Sequence, residues 1–157
     1  MPRALFTMHP LKTVVIKPCS WSECREPLLK VRIEVFVDEQ SVPLELEEDS
    51  DDTSAQHWLA ESNDGQSIGC VRLVSTAGGS GKIGRLAVIK EWRSRGIAQQ
   101  LMATTEDYAR KSGLGRLKLD AQLQAQGFYE KLGYCAEGDI FDDAGIPHRR
   151  MVKALRR

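Results

Sequence analysis

A short segment between a predicted strand and a predicted helix is the first feature of the sequence that could do chemistry. Its six residues are Arg93, Ser94, Arg95, Gly96, Ile97 and Ala98, here called the 93–98 turn. The first N–H groups of a helix have no partner within the helix and lie at the positive end of its macrodipole, so several of them can bind one phosphate. Gly96 lets the backbone approach a ligand closely. The segment predicts an anion site, although by itself it could equally be an ordinary tight turn with solvated arginines.

The elements that must position this turn follow from the hydrophobic pattern in the first half of the chain. We expect residues 1–11 to be a loose lead-in and residues 12–157 to form a single domain. Residues 13–17 predict a strand. Apolar residues at helical spacing from Leu28 predict a helix with Pro27 in its first turn, and the acidic run 45–52 predicts a loop. Residues 56–61, 67–76 and 82–88 then predict a three-stranded meander.

The second half of the chain alternates between helix and strand. The helix that follows the 93–98 turn buries a face formed by Ile97, Leu101, Met102, Thr105, Tyr108 and Ala109, and it ends before Gly113. Residues 114–121 predict a strand, 125–132 a second helix, and 134–141 with 147–155 a terminal hairpin. Together these elements predict an α/β fold with a mixed, mostly antiparallel central sheet flanked by helices.

Composition limits the possible functions. Lysine and arginine together number 22, as do aspartate and glutamate, so no net basic field draws the chain to nucleic acid or to anionic membranes. The longest apolar runs are far shorter than the roughly 18 residues that span a bilayer. The four cysteines show no C-x-x-C spacing, no metal motif is present and no secretory signal is evident, which predicts a cytoplasmic protein without a metal.

Two longer segments carry a resemblance to a known family. LAVIKEWRSRGIAQQLM, which contains the 93–98 turn, resembles the coenzyme-A-binding motif of the GCN5-related N-acetyltransferase (GNAT) superfamily, and AQLQAQGFYEKLGY resembles its next motif. Residues 31–40, together with Asp51, His57 and residues 145–148, resemble the bacterial branch typified by ElaA and YjcF. The resemblance extends over roughly residues 30–155 and implies an acyl-coenzyme A N-acyltransferase fold.

The resemblance also implies how acetyl-coenzyme A would bind. Backbone groups of three residues would pair with the pantetheine arm as an added strand, namely Leu86, Ala87 and Val88. Backbone N–H groups of the 93–98 turn would hold the pyrophosphate, and the amide of Gln122 would bind the pantetheine arm. Tyr129 matches the tyrosine that points at the coenzyme sulfur and can protonate or hydrogen-bond the departing thiolate. Its alternative role is to pack the last helix on the sheet.

An amine acceptor needs a group that removes its proton. A lysine-like amine with a pKa of ~10.4 is neutral in roughly one molecule in two thousand at pH 7. The candidate bases are Glu39, His57, Asp120 and His148, acting directly or through water. Glu39 would also line the acceptor site that the resemblance implies. Arg72 and Arg85, on apolar strands, either pair with buried carboxylates or bind an acidic group of the acceptor, and we name Arg72 as the acceptor-binding candidate.

Three functions stay open at this stage. The first is an N-acetyltransferase that moves an acetyl group from acetyl-coenzyme A to a primary amine, on a small molecule or a peptide, within a ternary complex. The second is a binding module that senses acyl-coenzyme A without turnover. The third is an acyl-homoserine-lactone synthase, since Arg32, Phe36 and residues 70–73 resemble that class faintly. A homodimer through exposed strands or the terminal hairpin is compatible with each of them.

Overall fold

The centre of the fold is a seven-stranded sheet within residues 13–156, the part of the chain that the computed structural model describes. Its strands are β1 (Val14–Cys19), β2 (Gln56–Ser62), β3 (Ser67–Thr76), β4 (Ser80–Val88), β5 (Arg116–Gln122), β6 (Cys135–Asp143) and β7 (Ile146–Ala154). They lie in the order β1-β2-β3-β4-β5-β7-β6. Each neighbouring pair is antiparallel apart from β4 and β5, which are parallel. The predicted mixed, mostly antiparallel sheet is confirmed. The expected lead-in at residues 1–11 lies outside the described residues.

Four α-helices connect these strands in the described part of the chain: α1 (Trp21–Arg32), α2 (Leu44–Glu47), α3 (Ile97–Lys111) and α4 (Gln126–Lys131). The π-helical turns of Ile33–Glu39 extend α1, and short 3₁₀ turns occupy Ser50–Thr53, Ala77–Gly79, Lys90–Trp92 and Leu123–Ala125. Among the four α-helices, α1 begins at a side-chain cap, Ser20. None of the helices in residues 13–156 combines the length and apolarity needed to cross a bilayer.

The predicted start of α1 at Pro27 was wrong. The helix begins at Trp21, because Ser20 and Glu23 form a capping box in which each side chain binds the other residue's backbone N–H. Pro27 therefore lies inside the helix, where it cannot donate a hydrogen bond and crowds the preceding turn. The backbone responds at Cys24, which has the non-helical angles φ −125° and ψ 19°.

The acidic run 45–52 is also not the solvated loop that its composition predicted. It contains α2 and a 3₁₀ turn, and two of its carboxylates, Glu47 and Asp52, are 3% and 0% exposed. Both pair with the buried guanidinium of Arg32 at 2.8 Å. Buried charges require such partners, so this segment is held against α1 and the sheet.

The core lies between the sheet and the helices on its two faces. From α3, Ile97, Leu101, Met102, Thr105 and Ala109 are buried as the spacing predicted. Tyr108 departs from the prediction: it is 41% exposed and contacts the buried Trp58 edge to face, with ring centroids 5.2 Å apart. The close packing of α3 fixes its first turn, and with it the 93–98 turn, against the end of β4.

Candidate active site

Separation of β4 from β5 opens a cleft in the middle of the sheet. The two strands pair only at residues 80–82 with 116–118, and β5 then continues against β7 as far as Gln122 and His148. Beyond Lys82, the edge of β4 that faces β5 has no strand partner in the described residues. The β4–β5 cleft has a volume of about 950 Å³ and is also lined by α2, α4 and the end of the α1 extension. Its β4 wall therefore offers backbone hydrogen-bonding groups to an extended ligand.

A β-bulge shapes this β4 wall. The partners of β3 change from Cys70 with Ala87 to Arg72 with Gly84, so β4 carries one extra residue. Within the bulge, Arg85 has a left-handed backbone with φ +56°. The thiol of Cys70 donates to the Arg85 carbonyl oxygen at 3.2 Å. Such bulges bend a strand and redirect its backbone groups, here at the wall of the cleft.

The 93–98 turn forms a concave group of backbone N–H donors at one end of the cleft. Ser94 and Gly96 both have left-handed backbones, with φ +64° and φ +80°, and α3 begins immediately afterwards at Ile97. Alternation of left- and right-handed residues at a helix N-terminus turns successive N–H groups toward one point. A hollow of about 270 Å³ at this place is lined by the turn, Gln99 and Phe128. Its size and donors suit a phosphate group.

The arginine side chains of the turn have other partners. Arg93 Nε donates to the Val88 carbonyl oxygen at 2.8 Å, and its Nη1 donates to Glu39 Oε2 at 2.8 Å. The guanidinium of Arg95 lies 4.7 Å from the ring centroid of Trp92 and donates to the backbone at Glu91. The backbone of the turn is therefore its anion-binding part, while Arg93 ties the turn to β4 and to the end of the α1 extension.

Tyr129 lines the cleft from α4 and packs between two other aromatic rings. Its centroid lies 5.1 Å from that of Phe128 and 6.1 Å from that of Tyr134, both edge to face. Burial raises the pKa of Tyr129 to about 12. The phenol therefore keeps its proton at neutral pH and can donate a hydrogen bond inside the cleft.

Comparison with a family model decides the family. The GNAT acetyltransferase domain model matches residues 24–155, which is most of the chain. The chain belongs to the GNAT acetyltransferase family.

The curated relatives and solved structures support the same branch of GNAT proteins that the sequence resembles. YjcF of Bacillus subtilis, described as an uncharacterized N-acetyltransferase, is 39% identical over 124 residues, which are 78% of this chain and 87% of YjcF. The crystal structure of Escherichia coli ElaA matches with a TM-score of 0.80 and 26% identity over 90% of this chain and 99% of ElaA. A coenzyme-A-dependent acyl-homoserine lactone synthase, BjaI, matches with a TM-score of 0.76 over 92% of this chain and 85% of BjaI, but at 16% identity that likeness shows the fold alone.

Two of the predicted catalytic residues do not line the cleft of this GNAT domain. Glu39 pairs with Arg93, whose hydrogen bonds lower the pKa of the Glu39 carboxyl group. His57 is 1% exposed, lies 5.3 Å from Trp21 between ring centroids, and places Nε2 2.9 Å from the Asp52 carbonyl oxygen. Burial lowers the pKa of His57. In this conformation both side chains are engaged by other groups of the protein.

The other two candidate bases, Asp120 and His148, do line the cleft. Although burial alone would raise it, hydrogen bonds from Arg150 and Lys82 lower the pKa of Asp120, so this carboxylate is already occupied. His148 Nδ1 lies 2.7 Å from the Ile146 carbonyl oxygen. A carbonyl only accepts, so Nδ1 carries the hydrogen and Nε2 of the neutral ring has the free lone pair. His148 is therefore the better placed of the two.

Gln122, the predicted pantetheine ligand, lies at the end of β5 where it lines the cleft. Its Nε2 donates to Gln40 Oε1 at 2.7 Å, and its Oε1 accepts from Gln124 at 2.6 Å. The bond to Gln40 joins β5 to the end of the α1 extension across the cleft. A ligand that binds the Gln122 amide must replace or share these bonds.

Arg72 and Arg85 belong to a buried arginine–carboxylate cluster at the other end of the cleft. Its members are Arg32, Arg72, Arg85, Glu47, Asp49 and Asp52. Arg72 donates to Asp49 at 2.7 and 2.9 Å and to Asp52 at 2.8 Å. The sequence left open whether these arginines pair with carboxylates, and the structure shows that they do. The carboxylate partners were missed because they lie in the acidic run, although arginines on apolar strands required them.

Proposed function

We propose that this GNAT protein is an N-acetyltransferase that transfers the acetyl group of acetyl-coenzyme A to a primary amine within a ternary complex. One observation carries the proposal: the unpaired edge of β4 runs from the bulge at Arg85 to Val88 and continues through a short connection into the N–H donors of the 93–98 turn. An extended pantetheine arm fits along that edge, with Leu86, Ala87 and Val88 as its backbone partners. Its pyrophosphate fits the hollow at Ser94 and Gly96, where a left-handed backbone turns the N–H groups together.

Acetyl-coenzyme A would supply a thioester whose carbonyl carbon the amine attacks. The new C–N bond forms as the C–S bond breaks, and the sulfur leaves as a thiolate that takes up a proton. N–H groups of the β4 wall would stabilise the negative charge that develops on the carbonyl oxygen. Because the acetyl group passes directly to nitrogen, no covalent enzyme intermediate is needed.

Tyr129 would act on the leaving thiolate mainly as a hydrogen-bond donor. Burial raises the pKa of Tyr129 to about 12, above the ~8.5 of a free thiol. Complete transfer of the phenolic proton to the thiolate would therefore be unfavourable. A hydrogen bond from the phenol lowers the energy of the thiolate without that transfer, and solvent can supply the proton afterwards.

His148 is the base that the geometry supports best for the ammonium proton of the acceptor. Its Nδ1–H is bound to the Ile146 carbonyl oxygen, which directs the free lone pair of Nε2 away from that bond. Glu39 and His57 would act only through water or after a rearrangement of their present contacts. Glu39 would contribute more directly by holding Arg93. Arg72 would contribute by fixing, through Asp49, the end of the cleft away from the 93–98 turn, which we propose receives the amine and call the acceptor end.

The cytoplasm is the proposed location of the activity. All four cysteines are free thiols, and three of them are buried. Such thiols persist in a reducing compartment. Within residues 13–156, no group of three or more His, Cys, Asp or Glu side chains is arranged so that it could hold a metal ion.

The test is release of free coenzyme A thiol from acetyl-coenzyme A in the presence of a broad panel of amines. An N-acetyltransferase gives thiol release that requires one class of amine and saturates with it. The binding-module alternative predicts saturable binding of acetyl-coenzyme A with no amine-dependent release. The lactone-synthase alternative predicts turnover with S-adenosylmethionine in place of the amine. If the protein does not react with S-adenosylmethionine, that alternative is excluded.

A further inference from the structure

Arg85 has a backbone conformation that its side-chain type disfavours. Four non-glycine residues of the described chain have positive φ: Ser41, Arg85, Ser94 and Ala144. Arg85 is the member of this group that lies within a strand, whereas the others lie in connections. A left-handed conformation brings Cβ of any L-residue other than glycine too close to the backbone. Something must therefore hold residue 85 in this conformation.

The guanidinium of Arg85 is held by the segment that follows α1. Nε lies 2.9 Å from Glu47 Oε2, and Nη2 donates to the Glu47 carbonyl oxygen at 2.9 Å and to Asp49 Oδ2 at 3.2 Å. The side chain is only 25% exposed. Both ends of residue 85 are thus fixed, because its carbonyl oxygen also accepts from the Cys70 thiol.

The partners of Arg85 are themselves fixed by other members of the arginine–carboxylate cluster. Glu47 is bound by Arg32 at 2.8 Å, and Asp49 is bound by both terminal nitrogens of Arg72. Three arginines face three carboxylates, so the formal charges of the cluster sum to zero. Arg85 consequently has no unbalanced charge to offer to a substrate, and its contacts hold the backbone instead.

We infer that Arg85 is a positioning residue: its ion pairs with Glu47 and Asp49 hold the β4 bulge in the left-handed conformation that presents the strand's N–H groups to the thioester. The expected effect on kcat rests on the proposed acyl transfer. The effect of the ion pairs on the conformation of the bulge does not depend on that function. The cluster also couples the acceptor end of the cleft to the wall that binds the acyl donor. Arg85 acts through the backbone of β4 and does not touch the reacting atoms.

Substitution by glycine and by alanine separates this role from a purely structural one. Arg85→Ala removes the ion pairs and retains the strain, so the bulge relaxes. Arg85→Gly removes the same ion pairs but adopts positive φ without strain, so the bulge persists. We expect Arg85→Ala to lower kcat about tenfold at saturating acetyl-coenzyme A, the size of one strained left-handed residue, while Arg85→Gly stays close to wild type. In Arg85→Ala the KM for acetyl-coenzyme A should rise less than kcat falls, because the 93–98 turn is intact and only residues 86–88, beside the bulge, lose their arrangement.

Arg116 provides the matched control. It also lies on a strand and forms one ion pair, with Glu137 at 3.0 Å, but it does not have a positive φ. Where φ is negative, glycine relieves no strain. The kcat of Arg116→Gly should therefore be no higher than that of Arg116→Ala. The inference is supported if the glycine variant has a higher kcat than the alanine variant at residue 85 but not at residue 116. Equal loss in Arg85→Ala and Arg85→Gly would overturn it, since loss of the charge would then explain both, and so would full activity of both variants.

Amide hydrogen exchange of residues 83–88 without ligand tests the same inference independently of turnover. Arg85→Ala should exchange faster than wild type in this segment, and Arg85→Gly should remain closer to wild type. If wild-type protein releases no thiol with any amine, the proposed function fails, whereas this exchange comparison still decides the role of Arg85. Equal exchange of the two variants overturns the inference even in an active enzyme.

Discussion

His148 faces Gln122 in the pairing of β7 with β5, and its Nδ1 lies 2.7 Å from the Ile146 carbonyl oxygen. This contact selects the tautomer that leaves the Nε2 lone pair free, in a residue that lines the β4–β5 cleft. Gln122 opposite it belongs to the proposed donor site. The pairing therefore places the proposed base beside the proposed pantetheine ligand.

Replacement of this imidazole tests its role as the base. His148→Gln should lower kcat at neutral pH by about 10²-fold or more, the usual contribution of a positioned base. The loss should shrink as pH rises, because the neutral fraction of the amine grows in solution. Initial rates of thiol release across pH, for wild type and variant, measure this. A parallel fall at every pH would show that His148 is needed for folding or binding instead.

Loss of the Tyr129 hydroxyl group should slow the reaction without abolishing it. Tyr129→Phe keeps the ring contacts with Phe128 and Tyr134 and removes only the hydrogen bond to the thiolate. We expect kcat to fall by about tenfold, as for one hydrogen bond worth roughly 1.4 kcal/mol, with unchanged KM for acetyl-coenzyme A. An unaffected kcat would leave Tyr129 with its packing role alone.

The 93–98 turn should lose coenzyme A affinity when its left-handed glycine is replaced. Gly96→Ala places a Cβ at φ +80° and 3.4 Å from Gln99 Oε1. The strain of about 1–2 kcal/mol makes the free turn relax out of its left-handed conformation, which coenzyme A must then restore, so binding should weaken roughly tenfold by calorimetry. Gly127→Ala is the control, because its added Cβ meets no atom within 4 Å and its φ is not positive. Equal affinity of both variants would argue against a pyrophosphate site at this turn.

Stability should fall in acid through the arginine–carboxylate cluster. Although burial raises it, hydrogen bonds from Arg32 and other donors lower the pKa of Asp52 to about 2, below the ~3.9 of an unfolded chain. A lowered folded-state pKa contributes stability above the unfolded value, and this contribution is lost as pH falls from about 4 through about 2.

Chemical denaturation of wild type and Asp52→Asn between pH 7 and about pH 2 measures this contribution. The variant should lose about 3–5 kcal/mol at pH 7, because Arg32 and Arg72 are left with an incomplete set of buried partners. Its free energy of unfolding should also depend less on pH in the acid range. The same pH slope in both proteins would contradict the assigned ionisation of Asp52.

The strands, the terminal hairpin and the 93–98 turn could be predicted from the sequence, because interactions between residues close together in the chain form them. Alternating strands and the terminal hairpin were predictable because side-chain period and turns are local. The position of Gly96 between strand and helix was predictable for the same reason. The start of α1 was not, since the capping box of Ser20 outweighed the preference of Pro27 for a first turn.

Contacts between distant residues set the rest of the site. Arg32, Glu47 and Arg85 meet only after the sheet forms, so an acidic run that looks solvated in sequence supplies buried partners. His57 illustrates a second limit: the sequence placed it on a strand but did not show that its ring lies against Trp21, away from the cleft. The register of β5 with β7 brought His148 there instead.

The most direct test of acyl transfer is a balance between thiol and product. Wild-type protein is mixed with acetyl-coenzyme A and an amine that supports thiol release, and both free thiol and N-acetylated amine are quantified over time. The proposed function predicts one acetylated amine for each thiol released, at a rate that Gly96→Ala lowers at subsaturating acetyl-coenzyme A. Tight binding of acetyl-coenzyme A with no acetylated product from any amine would contradict it.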